Sequence, residues 1–291
     1  MAADLIAWGA DGVRVATTTG ARFKSPAVWL ATTTTGDRAN LVCDVDGDGR
    51  GDLVAWNMNT RLVSLSTDSA FGPFTSWQTG TFDANFYLCG DATGDGRSDL
   101  IRVNTTDTMV AESTAGAFLT QTTWSSDPFQ GTRGNFVANL NGDARADLIA
   151  WNDNSVGVKV SVPGPTYSTG VTWYAGSTFS SNTNTVGDVD GDTLTDLIAW
   201  NTSTVYVQLC TSGVGFSAPT LWSMSPFNGT VANLVADVNG DGRADLIAVS
   251  DVDVKVALST GTSFATPTTW MTFSELDGVR GYFAINVDVR N

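Results

Sequence analysis

Histidine is absent from the chain. With it go imidazole acid–base catalysis, Ser-His-Asp and Cys-His nucleophiles, and histidine-ligated metals. Lysine is nearly absent, with three residues, and the only glutamates are Glu112 and Glu275, so 28 of the 30 acidic residues are Asp. Helical surfaces usually draw on Glu, Lys and Ala, and these shortages argue against helices. The three cysteines, Cys43, Cys89 and Cys210, form no CxxC pair, so neither a disulfide framework nor a zinc site follows from their spacing. Buried thiols are expected from the burial habits of free cysteine, with a Cys43–Cys89 bridge as the alternative. The first residues, Met1 to Asp4, carry no basic region and no long apolar run, so no signal peptide or membrane span is expected. Basic residues number 15 against the 30 acidic, a net charge of -15, which disfavours nucleic acid and anionic membranes as partners.

What is present reads as short strands. Thr, Val, Ser, Asn and Gly are abundant, and 10% of residues are aromatic. With 42% hydrophobic residues over 291 positions, the chain can bury a sizeable core, which excludes disorder as its main state.

A repeat organises the whole sequence. Residues 44–57 read DVDGDGRGDLVAWN, and the pattern returns as DATGDGRSDLIRVN from Asp91, NLNGDARADLIAWN from Asn139, DVDGDTLTDLIAWN from Asp188 and DVNGDGRADLIAVS from Asp237. A sixth copy is split, opening the chain as ADLIAWG and closing it as YFAINVDVRN. The final Asp of each copy falls at Asp4, Asp52, Asp99, Asp147, Asp196 and Asp245. Each repeat has room for four short strands, A to D from the centre outward, which is the size of one propeller blade. The expected fold is therefore all-β: a single domain over 1–291, a six-bladed β-propeller closed by pairing the N- and C-terminal strands in one blade. The tryptophans obey the same period. Trp8, Trp56, Trp151 and Trp200 end strand B; Trp29, Trp77, Trp124, Trp173, Trp222 and Trp270 end strand D. Strands B and D run the same way, so both sets are expected on one face, opposite the Asp loops.

Alternate Asp or Asn residues in a tight loop put several oxygens on one concave side, and a sixth-position Gly permits the turn. The implied ligands are Asp44, Asp46, Asp48, the Arg50 carbonyl and Asp52 in the first complete copy. The second offers Asp91, Thr93, Asp95, Arg97 and Asp99; the third, Asn139, Asn141, Asp143, Arg145 and Asp147. The fourth offers Asp188, Asp190, Asp192, Leu194 and Asp196, and the fifth Asp237, Asn239, Asp241, Arg243 and Asp245. All are hard oxygen donors, suited to Ca²⁺. Up to five ions are expected, with the third loop weakest for its two Asn. The split copy should bind none, since Arg290 stands where the fifth-position acid belongs. A single such loop fits a plain Asx turn equally well; five aligned copies favour metal.

The DxDGDGxxDL core resembles the FG-GAP or VCBS-type repeats of integrin α-subunit propellers and of a fungal propeller lectin that binds N-acetylglucosamine. The resemblance implies a β-propeller with Ca²⁺ in its A to B loops; the weak affinity usual for extracellular Ca²⁺ modules of this kind places the protein outside the cytosol. It says little about the ligand.

Two functions follow as alternatives, and an enzyme is not expected because acids outside the loops are scattered. In a multivalent lectin, sugar C–H faces would stack on the strand D indoles, while Asn57, Asn104, Asn152 and Asn201 would meet hydroxyls. Against this, each Trp could simply wedge adjacent blades. The other function is a protein-binding adhesive or scaffold module, whose irregular loops at 125–134 and 271–280 would form one dominant site.

Overall fold

The computed structural model describes residues 2–177, 182–211, 214–272 and 281–287. Six four-stranded antiparallel sheets form the blades of a propeller, with strands in the order A, B, C, D within each sheet. Blade 1 takes its strand A from the end of the chain, Gly281–Ile285, and its strand B from the beginning, Asp4–Trp8, in the register Asp4↔Ile285 to Trp8↔Gly281. The expected closure by the two termini is present. It removes the free edges that an open ring would expose. Blades 2 to 6 follow in chain order; blade 2, for example, comprises Ala39–Cys43, Asp52–Trp56, Thr60–Ser64 and Thr75–Thr79.

The burial gradient follows the sequence. Every residue of the DLIAW-type strands B is buried in blades 1, 2, 4, 5 and 6, because these strands have a sheet neighbour on either side and a blade on either face. Strands A are half-buried and line the centre, where Leu41, Leu88, Val137, Val186 and Phe283 from five blades meet around a space of about 250 Å³. Strands D are outermost, with two exposed residues before each indole. Between strands C and D each blade closes a short turn with an antiparallel bridge, such as Ser66 with Phe71, and in blade 4 the pairing extends to Ser161–Val162 with Thr166–Tyr167.

The blades are also joined by a repeated hydrogen-bond link. The second residue after strand C donates its side-chain hydrogen to the loop carbonyl of the preceding blade: Ser66 to Val287, Ser113 to Val45, Ser161 to Ala92, Ser259 to Val189 and Thr18 to Val238, at 2.5–2.9 Å. In blade 5 the thiol of Cys210 takes this place, 3.3 Å from the Leu140 carbonyl. Cys210 is thus the buried thiol that was expected.

Cys43 and Cys89 depart from that expectation. They form a disulfide between the A strands of blades 2 and 3, with Cα atoms 6.5 Å apart. Cys43 pairs with Asp52, whereas Cys89 pairs with Leu100 and Gly90 takes the place opposite Asp99. The two cysteines are therefore one position out of equivalence. Successive residues of a strand point to opposite faces, so this offset turns the thiols toward each other across the gap between blades.

Candidate functional site

Each Asp loop is built around its first and ninth residues. In blade 2, Asp44 Oδ1 accepts the N–H groups of Gly47 and Asp48, and its Oδ2 that of Gly49. The loop coils round this carboxylate as an extended Asx turn. Asp91, Asp188 and Asp237 gather their loops in the same way. In the third loop Asn139 accepts from Gly142. The sixth residue adopts a left-handed conformation in every complete loop: Gly49, Gly96 and Gly242 near φ 86°, but also Ala144 at 66° and Thr193 at 75°. A β-branched residue there is strained.

The ninth Asp has a role that spacing alone did not reveal. Asp52, Asp99, Asp147, Asp196 and Asp245 are fully buried, and each is held by two backbone amides, with a third from Thr93 at Asp99. Asp52 Oδ2 accepts Val45 N–H at 3.0 Å inside the loop, and Oδ1 accepts Ser66 N–H at 2.8 Å beyond strand C. Asp147 binds Leu140 and Ser161 identically. One side chain thus fastens the A to B loop to the C to D connection. Its recurring partner 14 residues on, Ser or Cys after strand C, was the available sequence signal. Burial pushes Asp52, Asp99, Asp196 and Asp245 up to about 7 and Asp147 up to about 6, even though their amide donors favour the charged form.

The remaining carboxylates converge at the loop surface. Oxygens of Asp44, Asp46 and Asp48 lie within 4.8 Å of one another, as do those of Asp188, Asp190 and Asp196. Burial, then the neighbouring carboxylates, raises Asp46 and Asp190. Hard oxygens brought together this closely, with mutual repulsion, suit a divalent cation. Arg50, Arg97 and Arg243 pair with the fifth-position residues Asp48, Asp95 and Asp241. In the other copies Thr93 contacts Asp91, while Asn141 and Asn239 bond Asp143 and Asp241. Asp192 Oδ1 accepts Leu194 N–H. Arg145 N–H bonds Asp143 likewise. Of the split copy, Asp288 and Arg290 lie outside the described residues.

The strand D tryptophans do not form open platforms. Each of Trp29, Trp77, Trp124, Trp173, Trp222 and Trp270 is the extra residue of a β-bulge, skipped in the C to D register. A bulge re-aims its side chain, and here the indoles turn into the gaps between blades. There they tilt against Phe71, Phe118, Tyr167, Phe216, Phe264 and Phe23 of the next blade, with ring centroids 5.3–5.7 Å apart. Those rings stand in the C to D connections, on the Asp-loop side. The expectation that both Trp sets gather on the opposite face is therefore corrected. Five of the six are buried and Trp173 is half-buried. The asparagines are likewise engaged. Asn57, Asn104, Asn152 and Asn201 open the B to C hairpins. Asn57 and Asn152 also accept N–H groups of Asp37 and Thr132 from the preceding D to A loops. Asn104 bonds Asp107, and Asn201 bonds Thr204.

Concavities are formed instead where a D to A loop crosses onto the next blade. The larger, about 470 Å³, lies between blades 3 and 4 and is lined by Asp127, Pro128, Phe129, Gly157, Lys159 and residues 169–172. Its charge is anchored: the buried Lys159 ammonium donates to Ser125 Oγ at 2.5 Å, stands 3.8 Å from the exposed Asp127 carboxylate and lies 5.1 Å from the Phe129 ring centre. Burial lowers the Lys159 pKa, partly offset by Asp127. Space is made by two glycines. A Cβ on Gly157 would meet Phe129 at 3.4 Å, and one on Gly170 would meet Phe129 and Lys159 at 3.2–3.3 Å. In the other blades the register puts Arg14, Leu62, Met109, Tyr206 and Lys255 at the first place. A second hollow of about 240 Å³ joins Pro226–Gly229 to Ser250, Val252, Asp253 and Lys255 between blades 5 and 6. The loop at 125–134 thus does contribute to a cavity; of the loop at 271–280, residues 273–280 lie outside the described residues.

Residues 188–248 match the model of the FG-GAP-like repeat, the family type that the Asp loops had implied. Among the curated proteins, none matches the sequence. Among solved structures, an Agrocybe aegerita lectin, described for its specific recognition of non-reducing terminal N-acetylglucosamine, is similar over 99% of this chain and 96% of its own, with a TM-score of 0.69 and 17% identity. AofleA from Arthrobotrys oligospora is similar over 99% of this chain and 90% of its own, with a TM-score of 0.52 and 10% identity. A Photorhabdus luminescens Tc holotoxin pore matches over 90% of this chain but only 13% of its own, with a TM-score of 0.60 and 20% identity. At these identities the likeness is one of fold.

Proposed function

We propose that this propeller is a non-enzymatic carbohydrate-binding protein, working outside the cell, whose principal site is the groove between blades 3 and 4. The observation that carries this reading is the set of local departures from the repeat: Gly157 and Gly170 clear a concavity beside Phe129, and Lys159 and Asp127 stand together at it. An aromatic ring can accept the C–H face of a pyranose, while an ammonium that donates and a carboxylate that accepts can bind adjacent hydroxyls. The smaller hollow with Phe227, Asp253 and Lys255 offers the same three kinds of group. Two linked sites would give avidity on a glycan-coated surface.

The similarity in fold to the Agrocybe aegerita lectin supports this reading. Calcium in the Asp loops belongs to the same proposal: Asp44, Asp46 and Asp48, and Asp188, Asp190 and Asp196, are the sets best suited to hold it. Its role would be to neutralise these carboxylates and stiffen the loops, remote from the groove. The Cys43–Cys89 disulfide agrees with an oxidising, extracellular setting.

A glycan array with the intact protein tests the reading, followed by titration of Lys159→Met and of Gly170→Phe, which introduces the residue found at that place in blade 2. Binding by the parent and its loss in both variants, with melting unchanged, is the expected result. If the parent shows no glycan signal, the carbohydrate reading fails and the adhesive-module alternative replaces it.

A further inference from the structure

A different chemistry is concentrated between blades 2 and 3. Strand B carries Ala at one gap-facing place in five blades, Ala7, Ala55, Ala150, Ala199 and Ala248, but Arg102 in blade 3. On strand C the partner of the last residue of strand B is Val or Thr in five blades, but Arg61, opposite Trp56, in blade 2. Both exceptions fall on walls of the same gap. In a chain with twice as many acids as bases, two arginines have replaced small apolar residues face to face.

Among the described residues neither guanidinium has a carboxylate partner. Arg61 is 1% exposed, and its Nε, Nη1 and Nη2 are all without a hydrogen bond. It lies against the Phe82 ring and 5.0 Å from the Trp56 ring centre. Gln78, its cross-strand neighbour, donates instead to the Leu119 carbonyl. Arg102 donates Nη1–H to the Asp83 carbonyl at 2.6 Å and directs Nη2 at the Met109 sulfur, leaving Nε unpaired. The Asp83 carboxylate is engaged by Tyr87 and by Arg38 at 3.4 Å. Trp56 Nε1–H is a fifth buried donor without an acceptor, whereas Trp8 and Trp200 give theirs to the carbonyls of Thr34 and Phe227. Arginine and tryptophan side chains only donate. A buried cluster of donors is costly unless an acceptor-rich, negatively charged group completes it.

We propose that the gap between blades 2 and 3 is a binding site for a small oxyanion, with the carboxylate of an acidic saccharide as the preferred form. Arg61 and Arg102 grip the oxygens, Trp56 donates a further hydrogen bond, and Phe82, on the short 80–85 connection, moves aside as a cover. The fork of a guanidinium matches two oxygens of one anionic group, which a lysine cannot do. This site differs from the blade 3–4 groove and does not rest on the carbohydrate reading, because a phosphate probe reads the anion independently of any sugar.

The test is calorimetric titration of the intact protein with sodium glucuronate, sodium phosphate and neutral glucose at constant ionic strength, together with Arg61→Val and Arg102→Ala. Both substitutions install the residue that the repeat uses elsewhere, so two independent routes to a folded variant exist. Saturable binding of glucuronate, absent for glucose and weakened roughly tenfold or more in each variant, is expected. Phosphate binding as well would show that the oxyanion alone suffices; binding of glucuronate without phosphate would show that the saccharide is read too. Equal binding of glucose and glucuronate, no binding of either anion, or unchanged affinity in the folded variants would overturn the proposal.

Discussion

The two faces of the ring have diverged to very different degrees. On the Asp-loop face every described blade repeats the same construction, down to the double amide grip on a buried ninth-position Asp and the hydroxyl or thiol link to the preceding blade. Away from that construction, the gaps between blades 1 and 2, 2 and 3, and 3 and 4 differ among the described residues. Phe74 stacks on Trp8 between blades 1 and 2, Arg61 fills the gap between blades 2 and 3, and two glycines leave that between blades 3 and 4 open. The uniform face holds the ring together, and the varied face is where recognition can be placed without loosening it. The bulged indoles belong to the first category, since they seal the gaps from the Asp-loop side.

That division can be broken most forcefully at an indole. Trp124→Ala should cost roughly 3–5 kcal/mol of stability by leaving a cavity against Tyr167. Chemical denaturation measures this, and a loss below about 1 kcal/mol would mean that the ring is not sealed there. Next comes the ninth Asp. Asp52→Ala strands two buried amides and should cost roughly 2–4 kcal/mol, whereas Asp52→Asn keeps an acceptor and should cost much less. Neither substitution should alter glycan affinity in protein that remains folded.

Titration sharpens the same contrast. The ninth-position carboxyls are raised by burial from 3.8 to about 6 or 7, so the folded chain holds protons that the unfolded chain has released. Their stabilising contribution is complete below about pH 4 and is lost as pH rises through about 7. In chelator, the melting temperature should therefore fall between pH 5 and 8. If Ca²⁺ occupies the proposed loop sites it must compete with those protons, and any rise in melting temperature on adding it should then grow over the same interval. A calcium effect that shrinks with rising pH would count against the loop sites. The smallest effect is expected at Thr193→Gly, which relieves a left-handed φ of 75° and should stabilise by about 1 kcal/mol.

Blade number, the pairing of Gly281–Ile285 with Asp4–Trp8 and the buried DLIAW strands were all legible in the sequence, because a repeat multiplies a weak local signal sixfold. So was the convergence of Asp44, Asp46 and Asp48, whose alternate spacing acts within one turn of chain. Tertiary structure decided what depends on two blades at once. Bulges turned the strand D indoles from open platforms into interblade seals, and a one-residue offset made Cys43 and Cys89 face each other. The open groove at Gly157 and Gly170 and the facing arginines at 61 and 102 likewise arise from pairs of exceptions far apart in the chain. Local spacing determines a turn or a strand; side chains from different repeats become one site only when the ring closes.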